Sequence, residues 1–196
     1  MQKKRVSEQG FSLVELIGVL AVIAILAAMV APKVFDVIED AKVSTLVDNV
    51  KQLTTASSKF YKDTGLRPTH NPADASGANH QLIRNDAKIN NWKGPYLDEE
   101  MQSPFTSTTS YYLMSGAEAF DIDGDGTNDY VNAIYVAVDG LNADQAMAVS
   151  NSIDNDAAGK WYAAGKVRTR KSIAPVAGAL GSVAAGTDIL IMLSGY

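Results

Sequence analysis

The sequence predicts an α+β protein in which one long N-terminal helix, membrane-spanning over its first half, packs on a small antiparallel sheet. Three observations carry this. An apolar run fills residues 11–31, a helical spacing of apolar residues continues to about Lys62, and four segments rich in Val, Ile and Tyr lie between glycines in the second half of the chain.

As helix, the run from Phe11 to Ala31 spans about 31 Å at about 1.5 Å per residue, the thickness of a bilayer's hydrocarbon core. The ten residues ahead of it, Met1 to Gly10, carry Lys3, Lys4 and Arg5 against Glu8. That basic excess holds the N-terminus in the cytoplasm and sends the body outside. A secretory signal normally ends in a small-x-small cleavage site, but Ala21, Ala24, Ala27, Ala28 and Ala31 never fall two apart, so the segment is expected to stay on the protein. Glu15 lies inside the run. A carboxylate at membrane depth costs about 2.5–3.5 kcal/mol even on lenient scales, which makes Glu15 a functional candidate; the alternative is a plain signal anchor with a Glu tolerated near the headgroups.

Gly18, Ala21, Ala24, Ala28 and Ala31 recur every three or four residues and form one face on which helices approach closely, unless they reflect only the tolerance of membrane helices for alanine. Pro32 lacks an N–H and meets the carbonyl of Ala28, so a kink or local unwinding is expected there, or a simple marker of membrane exit. Beyond it, Val34, Ile38, Ala41, Val50, Leu53, Ala56 and Phe60, joined by Val37, Leu46 and Val47, keep the helical period. One helix over 11–63 is therefore predicted. Asp63-Thr64-Gly65 supplies its stop, and Pro68 cannot continue it.

Residues 64–196 form the predicted head. Residues 64–80 read as an exposed loop, followed by a short helix or turn at about 81–89 and an aromatic-flanked turn at Trp92-Lys93-Gly94-Pro95-Tyr96-Leu97, expected to sit on the helix. Strands are predicted at Tyr111–Met114, Tyr130–Val138, Lys166–Arg170 and Thr187–Leu193. A second helix over Ala143–Ile153 starts from Asn142 as N-cap, with Gln145 three residues on as its capping-box partner.

Asp121, Asp123, Asp125 and Asp129 occupy the first, third, fifth and ninth positions of a loop with Gly126 at the sixth, the ligand order of an EF-hand-type calcium loop. Calcium takes six to eight hard oxygens, and a glycine turn lets alternate carboxylates and the Thr127 carbonyl converge. Asn132 stands where a bidentate Glu usually completes the set. That weakens the expected affinity toward the ~10⁻⁴ to 10⁻³ M of extracellular modules, and the following strand makes 121–132 a solitary loop rather than a sensor hand. The other reading is a solvated Asp-Gly turn. Calcium would rigidify a head that has no cysteine and hence no disulfide.

The net charge is −5, and loss of residues 1–10 removes three positive charges and one negative to leave −7. General nucleic-acid binding is not indicated. His70 and His80 lie in the polar loop without a third ligand and read as solvated. The chain has no Gly-x-Ser-x-Gly elbow, no phosphate loop and no His-Glu-x-x-His pair, so no catalytic site is expected. Lys166, Arg168 and Arg170 alternate, with Lys171 adjoining; they share a solvated strand face or meet an acidic neighbouring subunit or DNA phosphate.

The basic leader followed by Gly10-Phe11-Ser12-Leu13-Val14-Glu15 resembles the class III signal of the type IV pilin superfamily. The resemblance is specific over residues 1–63 and general beyond. It implies that a prepilin peptidase cuts between Gly10 and Phe11 on the cytoplasmic side and methylates Phe11. It implies too that Glu15 pairs with the terminal amine of a neighbouring subunit, and that the region of Pro32 melts during assembly. The head of that family has the same helix-on-sheet plan, although many pilins close a C-terminal loop with a disulfide that this chain lacks. Gly94-Pro95-Tyr96-Leu97 resembles a turn of major pseudopilins of type II secretion and of some pilins. The implied protein is a structural subunit that leaves the inner membrane to polymerise with copies of itself and other pilins on an assembly machinery. A head larger than a minimal pseudopilin needs puts a surface pilus for adhesion, motility or DNA uptake first. A periplasmic pseudopilus of type II secretion comes second. A calcium-dependent binding module on an uncut single-pass anchor is the reading from another class.

Overall fold

The computed structural model describes residues 11–68, 81–106, 112–116, 118–154, 164–169 and 187–195. The elements run α1 (Leu13–Thr64), β1 (Tyr112–Gly116), β2 (Ala133–Leu141), α2 (Ala143–Asp154), β3 (Val167–Thr169) and β4 (Thr187–Gly195). The chain divides into two compact units, Met1–Asp40 and Ala41–Tyr196. The leader and the residues 69–80 that carry His70 and His80 lie outside the described residues, as do Tyr111, Arg170 and Lys171.

In the first unit, every large apolar side chain from Phe11 to Ile38 is at least 46% exposed. A stretch this apolar needs a non-aqueous surrounding, and α1 is long and apolar enough there to cross a membrane. Pro32 sits inside α1 and the helix continues on both sides of it, so the expected unwinding is not seen. Proline removes one i to i−4 hydrogen bond, and the helical neighbours on either side hold the remaining ladder.

In the second unit, α1 buries Leu46, Val50, Leu53, Ala56 and Phe60 of the stripe read from the sequence, and with them Val43, which that stripe left out, while Ala41 of the stripe is exposed. The helix ends as predicted: Gly65 takes φ +71°, its N–H donates to the Tyr61 carbonyl at 2.8 Å, and the Leu66 N–H donates to Thr64 Oγ1 at 3.1 Å.

The sheet is antiparallel throughout, with strand order β1-β2-β4-β3. Leu113, Ile134, Val136, Val138, Val167, Ile189 and Ile191 cluster with the stripe of α1 and with Ala146 and Val149 of α2. On the other face Ala133, Tyr135, Ala137, Leu190 and Met192 form a smaller cluster with Phe120. α2 opens on the predicted reciprocal cap, in which the Asn142 N–H donates to Gln145 Oε1 at 3.0 Å and the Gln145 N–H to Asn142 Oδ1 at 2.8 Å.

Residues 81–89, read as a short helix or turn, are turns, tied by the Ile89 N–H donating to Asn85 Oδ1 at 2.6 Å, and the strand bounds differ from the sequence reading. Asn85 competes for the backbone that a helix would need. β2 starts at Ala133 rather than Tyr130, because Tyr130 pairs with Phe120 in an isolated bridge, and it extends to Leu141 past an irregularity in register after Val138, where Gly140 takes φ +84°. β3 covers Val167–Thr169 among the described residues, with Lys166 ahead of it.

Candidate functional site in the N-terminal segment and the acidic loop

α1 begins with Ser12 and Glu15 capping one another. The Ser12 N–H donates to Glu15 Oε2 at 2.9 Å and the Glu15 N–H to Ser12 Oγ at 3.2 Å. The signal was present in the sequence as Ser-x-x-Glu before an apolar run, a capping box that the expectation of an intersubunit pair for Glu15 did not use. A carboxylate has about four acceptor positions, so one bond within the chain is compatible with a second donor from a neighbour. A Cβ added at Gly18 would meet nothing within 4 Å, so this part of the small-residue face is open for close approach.

The acidic loop is closed by the bridge between Phe120 and Tyr130, in which the Phe120 N–H donates to the Tyr130 carbonyl at 2.8 Å and the Tyr130 N–H to the Phe120 carbonyl at 3.1 Å. Inside it the carboxylates accept main-chain N–H groups. Asp121 accepts Gly124 at 2.7 Å and Gly126 at 2.9 Å, Asp123 accepts Asp125 at 3.1 Å, Asp125 accepts Thr127 at 2.6 Å, and Asp129 accepts Ile122 at 2.7 Å. Gly124 and Gly126 supply φ of +77° and +91°, which side-chain-bearing residues rarely adopt.

This folding brings one carboxylate oxygen from each of Asp121, Asp123 and Asp129 within 4.8 Å of one another. Oxygens on opposite sides of a calcium ion at about 2.3–2.6 Å lie about 5 Å apart, so these three fit the ion. Asp125 is not in that group, and its hydrogen bonds with Thr127 hold its carboxyl below the usual carboxylate value. Thr127 is exposed on the same loop, and Asn132 is half-buried immediately before β2. The loop rests on the segment before β3: the Gly165 N–H donates to the Asp121 carbonyl at 2.8 Å, and a Cβ at Gly124 would lie 3.3 Å from that of Ala164.

The turn at 92–97 is seated on the end of α1, as expected. The Tyr96 ring meets Phe60 and Trp92 edge-on, both at 5.6 Å between centroids. Its hydroxyl donates to Asp63 Oδ2 at 3.1 Å and accepts the Lys93 N–H at 3.0 Å, while Lys93 Nζ lies 3.5 Å from Asp63 Oδ1. The Trp92 indole N–H donates to the Gln81 carbonyl at 2.8 Å, and the Gly94–Pro95 bond is cis.

Of the basic stripe, Lys166 and Arg168 are described and their surroundings differ. Lys166 precedes β3 and is exposed, whereas Arg168 is half-buried, ion-paired with Glu118 and 4.8 Å above the Phe120 ring. These partners stand about fifty residues away in the chain, and no local pattern announced them.

Residues 5–31 match the prokaryotic N-terminal methylation motif, a stretch that includes Gly10, Phe11 and Glu15. Residues 33–135, more than half of the chain, match the family of type II secretion system (T2SS) protein G. No curated protein and no solved structure matches the chain. Subunits of these families are processed by a prepilin peptidase and assemble into fibres with other pilins. The methylation motif, the exposed apolar helix and the helix-on-sheet head agree: the chain belongs to the type II secretion system protein G family, a pilin-like prepilin held in the inner membrane before assembly, and is a structural subunit rather than an enzyme.

Proposed function

We propose that the chain is a subunit of the pseudopilus of a type II secretion system, with the fibre in the periplasm. The observation that carries this is the protein G match, which runs from α1 through the turn at Gly94-Pro95-Tyr96-Leu97 and into β2. The size of the head favoured a surface pilus from sequence alone, and that stays the second reading because the N-terminal signal is common to both. Deleting the gene separates them: retention of secreted proteins in the periplasm with surface fibres intact supports the pseudopilus, and loss of surface fibres with normal secretion supports the pilus.

In either fibre, cleavage falls between Gly10 and Phe11, Phe11 is methylated, Glu15 receives the terminal amine of an adjacent subunit, and Pro32 marks where α1 gives way during assembly. Burying the Glu15 pair neutralises two charges that would each be costly alone. Intact mass of the membrane-extracted protein tests the processing, since loss of Met1–Gly10 plus one methyl group is expected. A full-length mass instead favours the anchored binding module.

The loop 121–132 takes calcium in this reading, through Asp121, Asp123 and Asp129 with Asp125, Thr127 and Asn132 completing the shell. Bound calcium, at ten times its dissociation constant, stabilises the fold by about 1.4 kcal/mol. For a chain of this size that moves the melting temperature by about 3–5 °C. Chelation of the detergent-solubilised protein should lower the melting temperature by that amount; no change leaves the loop an Asp-Gly turn.

A further inference from the structure

We propose that Arg168 is a positioning residue for the acidic loop, holding its first turn in the shape that receives calcium; the proposal rests on the calcium reading above. Arg168 lies on β3 opposite Leu190 of β4, and paired residues of neighbouring strands share a face. That face carries the small cluster of Phe120, Tyr135, Ala137, Leu190 and Met192. The Arg168 guanidinium therefore reaches two residues at the start of the loop together. It pairs with the Glu118 carboxylate and lies 4.8 Å from the centre of the Phe120 ring.

Phe120 is the residue whose backbone bridge with Tyr130 closes the loop, and Asp121, the first candidate ligand, follows it directly. The segment leading into β3 grips the same turn from behind, through the Gly165 N–H on the Asp121 carbonyl and Ala164 against Gly124. Residues 164–168 thus fix the side chain of Phe120, the carbonyl of Asp121 and the bend at Gly124. A ligand set anchored at these points loses less freedom on meeting an ion.

Charge supplies a second reason. Glu118, Asp121, Asp123, Asp125 and Asp129 are five carboxylates within twelve residues, of which Glu118 is outside the candidate ligand set. Side chains of Arg168 and Glu118 are 19% and 33% exposed, so the pair is shielded from full solvent screening. Arg168 neutralises the carboxylate that the ion does not use. Glu118 in turn masks the guanidinium, which would otherwise repel a cation.

The test uses the detergent-solubilised full chain and calcium alone. The paired variant Glu118→Gln with Arg168→Met removes one charge of each sign and leaves the loop's net charge as it was, so a change in affinity reports position rather than field. By titration calorimetry it should bind calcium about 10-fold more weakly, the usual effect of removing a supporting partner of a metal site. In calcium-free buffer the amides of Phe120 and Tyr130 should exchange faster while those of Val136 and Ile191 keep their protection. Wild-type affinity in the paired variant overturns the role of Arg168 and leaves the calcium reading standing. A wild-type protein that takes up no calcium overturns both. Should the paired variant fail to fold, Arg168→Lys carries the test: it keeps the charge but loses the planar fork, about 3-fold weaker binding is expected, and unchanged binding overturns the proposal.

Discussion

Replacing Tyr96 by Phe removes one oxygen from the end of α1 and leaves the ring where Phe60 and Trp92 hold it. The hydroxyl makes two bonds, donating to Asp63 at 3.1 Å and accepting from the Lys93 N–H at 3.0 Å. A hydrogen bond to a charged group contributes about 1.5–3 kcal/mol and a neutral one about 1 kcal/mol. Asp63 is 24% exposed and keeps Lys93 at 3.5 Å, so water and the ammonium compensate part of the loss. We expect about 1–2 kcal/mol of destabilisation, or a fall in melting temperature of about 3–6 °C. Urea unfolding of the detergent-solubilised protein at several pH values measures it. Burial, ahead of the hydrogen bond and repulsion from Asp63, holds the Tyr96 pKa above its ordinary value of 10.0. For a group raised in the folded state, stability is fully present below the ordinary value and is lost as pH rises through the folded one. The gap between wild type and Tyr96→Phe should therefore be flat from about pH 7 to 9 and narrow above about pH 10. A variant as stable as wild type at pH 8, or a gap that ignores alkaline pH, would refute the reasoning.

Three further substitutions probe other links. Gly94→Ala places a methyl group against the Trp92 ring and should cost about 1–3 kcal/mol by the same unfolding assay, with Trp fluorescence shifted. Asn142→Ala removes the acceptor for the Gln145 N–H at 2.8 Å and should cost about 1 kcal/mol, read as earlier loss of far-ultraviolet ellipticity on heating. Glu15→Val should leave the protein in the membrane fraction and abolish its recovery in sheared or overexpressed fibres; normal fibres would remove Glu15 from assembly.

The parts of the fold written in local spacing were legible. The stripe from Val34 to Phe60 and the Gly65 stop gave α1 to within a residue of its C-terminal end, and Asn142 with Gln145 gave the start of α2. The acidic loop was legible in part: Asp121, Asp123 and Asp129 converge as their spacing within one short segment suggests, whereas Asp125 stays outside that group. Boundaries failed where one residue type serves two structures. Tyr130 and Val131 have strand character, yet Tyr130 is used to close the loop, and Asp139-Gly140 has turn character inside β2. At 81–89, read as helix or turn, Asn85 decides for turns by bonding Ile89. Least legible were pairs across distance: Tyr96 with Asp63, and Arg168 with Glu118. Such contacts depend on the finished sheet, and periodicity carries no trace of them.

Among the described residues β3 has no neighbour except β4, while β4 itself joins β2 across more than forty intervening residues. Closing so long a stretch of chain is entropically expensive and slow compared with forming a helix or hairpin. The head is thus expected to ripen late, after the anchor has already found the bilayer, with the β2–β4 zipper as its kinetic bottleneck. Until that zipper shuts, the first turn of the acidic loop lacks the backing of Ala164 and Gly165, and this exposed loop is open to envelope proteases.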